Sequence, residues 1–281
     1  MGKWESTLDG SYMKVIILAG GKGTRISEES VLRPKPMVSI GGRPILWHIM
    51  KIYEGFGFHN FIICCGYKGE YIKKYFLKYG ISQKRVDFTL SEITDNGKTI
   101  SDLDKEQTEK WNVICANTGL ETLTAGRIRQ IQKYVNNDDE FMITYGDGVA
   151  DINIRELIDF HHAHGKILTI STTRPEGRFG AVSIDEDGSV TSFREKARKS
   201  QSYVNIGFMV ANRKLFDYLG DGNEMLELEP FDSLVADKQI TAYKHLGFWS
   251  PMDNMHDREY LDKLWNKGAP WMGSENRGGL R

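Results

Sequence analysis

The chain has 281 residues, 40% of them hydrophobic and 27% charged, and 37 Lys and Arg against 38 Asp and Glu leave a net charge of −1. That balance excludes the global basic excess that marks nucleic-acid binders or proteins drawn to acidic membranes, no apolar run approaches the roughly 18 residues of a membrane span, and the length suits one large domain. Three cysteines (Cys64, Cys65 and Cys115) are too few and too odd for a disulfide framework, lack zinc-site spacing and fit a reducing, cytoplasmic setting. Residues 1–12 have no apolar signal stretch and read as a leader before Met13, expected to lack order, like the Gly-rich tail 272–281.

In chain order, Val15–Ala19 is a short apolar run that stops at glycine, the pattern of a strand buried on both faces of a parallel sheet. Pro44 opens a helix to about Phe56. A strand over Phe61–Cys65 follows, then a helix over Glu70–Tyr79 with Tyr71, Tyr75 and Tyr79 on one face. Residues 81–110 break this rhythm. Arg85–Leu90 could be a strand, but the polar stretch after it predicts a long exposed loop or a protruding arm; arms of this kind often serve subunit contacts, Trp111 is expected to pack there, and a homo-oligomer is expected. The alternation resumes with strand Asn112–Cys115, helix Ala125–Val135, strand Phe141–Tyr145, helix Ile154–His164 and strand Ile167–Thr173. Ala181–Ile184 and Ser189–Phe193 flank an Asp-Gly turn signal and predict a hairpin. Strand Tyr203–Val210, helices Lys214–Leu219 and Glu229–Asp237, strand Ile240–His245 and helix Asn254–Lys267 complete the reading. The expected fold is α/β: a single doubly wound, mixed but mainly parallel sheet flanked by helices, with an antiparallel decoration, spanning 13–271.

Gly20-Gly21-Lys22-Gly23-Thr24-Arg25 directly follows the first strand, where open α/β sheets bind ligands. Glycines let backbone N–H groups approach a phosphate closely. A dinucleotide fingerprint would need Gly or Ala at Ile26, and a P-loop would need Ser or Thr at Gly23, so both standard patterns fail. A bare turn remains the plain alternative. In Arg33-Pro34-Lys35-Pro36, two prolines stiffen the chain around one lysine, which suits a phosphate clamp. His161, His162 and His164 suggest a metal, but adjacent histidines point off different helix faces.

Leu18 to Arg25, Lys35-Pro36-Met37 and Gly41 to Leu46 together resemble the opening of the sugar-nucleotide nucleotidylyltransferases, and among these the glucose-1-phosphate cytidylyltransferases. Further resembling segments include Thr124–Arg127, Tyr145–Ala150, Gly177–Gly180 and Gly247–Asp253. The resemblance implies the reaction CTP + sugar 1-phosphate → CDP-sugar + pyrophosphate, assisted by Mg²⁺. It implies that Leu18, Ala19, Gly20 and Gly21 contact base and ribose, that Gly23, Thr24 and Arg25 hold the triphosphate, and that Lys35 touches the reacting phosphates. Arg25 and Lys35 are thus the expected catalytic cations. Thr124 and Arg127 would complete the nucleotide pocket. Gly180, Glu195, Lys196 and Asn205 would bind the sugar phosphate, and Asp147 and Asp253 would ligate Mg²⁺. Asp147 also reads as a turn aspartate, Asp253 as the N-cap of the last helix, and Glu195-Lys196 as a solvated strand end.

Two positions depart from the family pattern. Lys196 is followed by Ala197 where proline is usual, and Ile206 stands where a second glycine would adjoin Gly207. The second change puts a branched side chain where backbone normally approaches the sugar. The acceptor and the choice among CTP, UTP and dTTP stay open, and a nucleotide sensor without turnover is the non-enzymatic alternative.

Overall fold

The apolar run after Met13 forms β1 (Lys14–Ala19), with Val15 to Ala19 all buried. A computed structural model describes residues 13–23, 31–83, 87–91, 98–99, 111–135, 137–175, 181–184, 190–194 and 202–273. Along the chain, a hairpin of β2 (Ser39–Ile40) and β3 (Arg43–Pro44) leads into α1 (Ile45–Glu54), β4 (Asn60–Cys65), α2 (Gly69–Gln83), β5 (Asp87–Ser91), β6 (Lys98–Thr99) and β7 (Asn112–Asn117). Then come α3 (Thr124–Gln130), β8 (Glu140–Tyr145), β9 (Gly148–Ala150), α4 (Ile154–His164), β10 (Leu168–Thr173), β11 (Ala181–Ile184), β12 (Val190–Arg194) and β13 (Val204–Asn212). The described chain closes with α5 (Glu229–Ala236), β14 (Ile240–Lys244), β15 (Trp249–Pro251) and α6 (Met255–Trp265).

Nine strands form one sheet in the order β14-β10-β13-β8-β1-β4-β7-β5-β6. The pairs β8-β1, β1-β4, β4-β7 and β7-β5 are parallel, as is β10 with β14, while β6 runs antiparallel to β5 and β13 antiparallel to both its neighbours. This is the mixed, mainly parallel sheet expected from the sequence. Alternate residues of β1 enter opposite cores. Val15, Ile17 and Ala19 pack with α1, α2, α4 and α6, and Ile16 and Leu18 pack with α3 and α5. Each fully buried aliphatic side chain contributes about 1.5–3 kcal/mol, so the apolar stretch Val15–Ala19 is held from both faces.

Helix boundaries follow local chemistry. The Asn153 side chain accepts the Arg155 and Glu156 N–H groups at the start of α4, and Gly165 ends it at φ +60°. Asn254 and Asp257 form a reciprocal capping box on α6.

Several expectations change. The helix read over Ala125–Val135 stops at Gln130 and continues as a 3-10 turn, Gln132–Tyr134; that read over Lys214–Leu219 is a 3-10 segment, Arg213–Tyr218. On α2 the buried residues include Ile72, Lys73 and Phe76, while Tyr71 is half exposed. Trp111 is buried against the Phe61 ring inside the core. Within 81–110, β5 pairs with β7 and β6 with β5, extending the sheet edge. Residues 84–86, 92–97 and 100–110 lie outside the described residues, as do 1–12 and 274–281. Among the described residues no helix is long and apolar enough to cross a membrane.

Candidate active site

The ends of β1 and β8 meet where the glycine loop begins. Leu18 pairs with Tyr145, and the Gly146 N–H donates to the Leu18 carbonyl at 3.0 Å. Beside this edge lies a cleft of about 330 Å³ lined by Leu18, Ala19, Gly20, Gly21, Gly23, Lys35, Thr124, Arg127 and Asp147 among the residues expected there. Tyr145 of the resembling segment lines it too, as do Thr122, Leu123 and Met225, which carried no motif in the sequence. The arrangement gathers a glycine loop, a cation and a carboxylate around one opening at the sheet's carboxyl edge.

Arg127 organises the glycine-loop side of the cleft. Its Nη1 donates to Thr118 Oγ1 at 2.6 Å and to the Gly119 carbonyl at 2.8 Å, and its Nη2 donates to the Gly20 carbonyl at 3.0 Å. Burial pulls its pKa below the ordinary arginine value. Its guanidinium is therefore spent on tying the loop after β7 to the glycine loop. Gly20 has to be glycine for this reason, because a Cβ there would stand 2.1 Å from Arg127 Nη1. Gly66 is under the same constraint: its Cβ would lie 2.5 Å from the Gly20 carbonyl oxygen.

Lys35 organises the acidic side. Pro34 enters in the extended region and the 3-10 turn Lys35–Met37 follows, so the lysine emerges from a stiff segment. Its side chain is buried, with 6% of the residue exposed, and its Nζ lies 2.7 Å from Asp147 Oδ2 and 2.8 Å from Asp253 Oδ1. A short ladder brings those carboxylates together across more than a hundred residues. Gly148 of β9 pairs with Pro251 of β15, and the Met252 N–H donates to the Asp147 carbonyl at 2.8 Å. The N-cap of α6 is Asn254, which leaves the Asp253 carboxylate turned to Lys35.

Two carboxylates converging on one point, with a buried cation between them, are the donor set of a hard oxygen-ligated ion. Among the described residues no group of three or more His, Cys, Asp or Glu is poised to hold a metal. A pair of carboxylates completed by substrate phosphates is the arrangement that suits Mg²⁺ better than Ca²⁺. The histidines of α4 lie elsewhere. His161 and His162 both reach Glu140, at 3.6 and 2.7 Å, so they are not directed apart as their spacing suggested.

On β13, the Asn205 Nδ2 donates to the Tyr145 hydroxyl at 3.4 Å and its Oδ1 accepts the Gly207 N–H at 2.9 Å. Ile206 is buried in the core, while Gly207, at φ +85°, receives the Tyr145 ring where a Cβ would stand. The pairing of β13 with β10 shifts register between Ile170 and Thr172, a bulge the alternation pattern did not announce. Ala181 pairs with Arg194, the sequence neighbours of Gly180 and Glu195. Thr24, Arg25, Gly180, Glu195 and Lys196 lie outside the described residues.

A mainly parallel sheet with a glycine loop at its carboxyl edge and an acidic pair beside a buried lysine defines a phosphate-handling α/β protein. The family model described as nucleotidyl transferase matches residues 14–250, and the chain belongs to that family. It is 46% identical over 260 residues to the glucose-1-phosphate cytidylyltransferase of Salmonella typhi, a match covering 92% of this chain and 98% of that one. The Salmonella typhimurium glucose-1-phosphate cytidylyltransferase matches at the same identity and coverage. Among solved structures, HddC from Yersinia pseudotuberculosis superposes with a TM-score of 0.64 at 22% identity, covering 90% of this chain and 99% of HddC, and shares the fold.

Proposed function

We propose that this protein transfers the cytidylyl group of CTP to a sugar 1-phosphate, with α-D-glucose 1-phosphate the best acceptor, releasing pyrophosphate. One observation carries the reading: a single buried ammonium joins Asp147 and Asp253 on the wall of the glycine-loop cleft. The high identity to proteins named for this reaction supports it over nearly the whole chain.

The backbone of Gly20 to Gly23 presents donors to the nucleotide, and Arg127 holds that loop in place. A phosphate oxygen of the sugar 1-phosphate attacks the α-phosphorus. The bond from α-phosphorus to the bridging oxygen breaks, and the electron pair leaves with pyrophosphate. No general base is needed, because a phosphate monoester is largely ionised near neutral pH. Lys35 stands where it can neutralise phosphate charge as the two anions close, and Arg25 and Lys196 are proposed to share that task. Asp147 and Asp253 would hold Mg²⁺, which when bound supplies further neutralisation of the polyphosphate. Positioning two mutually repelling anions can lower the barrier by about 7–11 kcal/mol, so alignment and charge compensation suffice without covalent chemistry.

The test is pyrophosphate release with Mg²⁺, CTP and a panel of sugar 1-phosphates, run beside UTP and dTTP. Turnover with CTP and glucose 1-phosphate above the other pairs is expected. Silence across the whole panel, with CTP still stabilising the protein against heat, would establish a nucleotide sensor instead.

A further inference from the structure

Glu227 lies between the 3-10 segment Arg213–Tyr218 and α5, in a stretch where no motif marks it. Its carboxylate receives two hydroxyl protons from opposite sides of the cleft. Thr124, at the start of α3, donates through Oγ1 at 2.7 Å, and Tyr145, at the end of β8, donates its phenol proton to the other oxygen. Thr124 Oγ1 also accepts the Leu226 N–H at 2.7 Å, so its hydroxyl is fixed both as donor and as acceptor. The same segment is bonded to the helix start through its backbone: Leu123 N–H donates to Asn223 Oδ1 at 2.6 Å and Ala125 N–H to the Glu224 carbonyl at 3.2 Å.

Tyr145 extends the connection. Its hydroxyl accepts from Asn205 on β13, its ring fills the place of a Cβ at Gly207, and it precedes Asp147 by two residues. One carboxylate thus links the nucleotide wall, the strand end that leads to the acidic pair and the strand that carries Asn205.

We infer that Glu227 is a positioning residue that couples the nucleotide side of the cleft to the acceptor side, through Thr124 and Tyr145. Removing its carboxylate releases both hydroxyls together, and the consequence reaches Asp147 and Asn205 without Glu227 itself meeting substrate. The inference rests on the cytidylyltransferase reading for its kinetic consequences, but not for its structural ones.

The experiment compares wild type, Glu227→Ala, Glu227→Gln, Tyr145→Phe and the double variant Glu227→Ala/Tyr145→Phe. Glu227→Ala is expected to raise KM for both substrates and to lower kcat by about tenfold or more. Glu227→Gln keeps one of the two acceptor oxygens and should lie between Glu227→Ala and wild type. The double variant should be no worse than the more impaired single one, because both lesions cut one chain of contacts. Hydrogen exchange without substrate should show lost protection in Glu227→Ala at 118–127, 143–151 and 203–208 together. Lost protection confined to 220–230, additive kinetic losses, or a Gln variant as poor as Ala overturns the inference. Silence of the wild type with every nucleotide and sugar phosphate strikes the proposed activity instead, and exchange still decides the coupling. If Glu227→Ala fails to fold, the near-isosteric Tyr145→Phe carries the same exchange test at 118–127.

Discussion

Lys35 and a divalent ion would compete for the same two oxygens. The ammonium is within 2.8 Å of both carboxylates, so a cation bridging them has to displace it. A triphosphate offers Lys35 another anion and eases the exchange. Removing the charge should therefore separate metal affinity from catalysis. Nucleotide-free Lys35→Met should bind Mn²⁺ about tenfold more tightly by spin-resonance titration, a gain of about 1.4 kcal/mol, while its turnover falls more than tenfold. An unchanged Mn²⁺ affinity would contradict the shared site.

Two buried histidines make stability sensitive to acid. His48 Nε2 lies 2.9 Å from the Ile40 carbonyl and its Nδ1 accepts the Trp271 indole N–H at 3.3 Å, a pattern that fixes the neutral tautomer. Burial lowers its pKa from 6.5 to about 4. Burial likewise lowers that of His161, whose Nδ1 lies 2.8 Å from Thr169 Oγ1. A group with a lowered folded pKa leaves the unfolded chain binding more protons below 6.5, so stability is full above that pH and declines as pH falls toward 4. The melting temperature should drop between pH 6.5 and 4.5. His161→Gln should lessen that slope; an equal slope in the variant would assign the acid sensitivity elsewhere.

At the scale of elements, the pairing of β9 with β15 decides whether the acidic residues meet. It is pinned beyond its three residue pairs. Asp151 N–H donates to the Phe248 carbonyl at 3.1 Å, and the Asp151 carboxylate lies 3.0 Å from His245 Nε2. Gly247 has to lack a side chain, since a Cβ would come within 2.2 Å of Asp151 Oδ1. Asp151→Ala should loosen β15 and let Asp253 drift from Asp147. The Mg²⁺ concentration for half-maximal rate is expected to rise by about threefold to tenfold, the loss of roughly one hydrogen-bonded charge pair. KM for the nucleotide measured at saturating Mg²⁺ should change little. A variant with a wild-type Mg²⁺ titration would show that the ladder alone holds the pair.

At the scale of the whole molecule, two cores clamp one sheet, and the site rests on the rim they hold steady. Phe208, on the antiparallel β13, stacks on Tyr53 of α1 with ring centroids 5.9 Å apart. It joins the acceptor half of the sheet to the layer beneath the nucleotide half. Phe208→Ala should cost about 3–5 kcal/mol, read as a lower urea midpoint with an unchanged slope. The same view explains which parts were legible in advance. The runs Val15–Ala19 and Phe61–Cys65 are apolar without interruption because both faces are covered, and such runs need no partner to be recognised. Gly165 after Ile154–His164 announces its helix end locally. The register shift of β13 against β10 between Ile170 and Thr172 and the inner face of α2 depend on neighbours far along the chain, and nothing local announces them.

The sequence by itself determined the alternation of strand and helix, the glycine loop and the stiff turn around Lys35, because each is written in a few consecutive residues with their own backbone preferences. Only the tertiary structure decided that Lys35 bridges Asp147 to Asp253, that Arg127 holds loops together, and that Glu227 sits between Thr124 and Tyr145. Each of these is a contact between charged or polar groups distant in the chain. Their energy depends on separation and burial in three dimensions, which no local pattern of residues encodes.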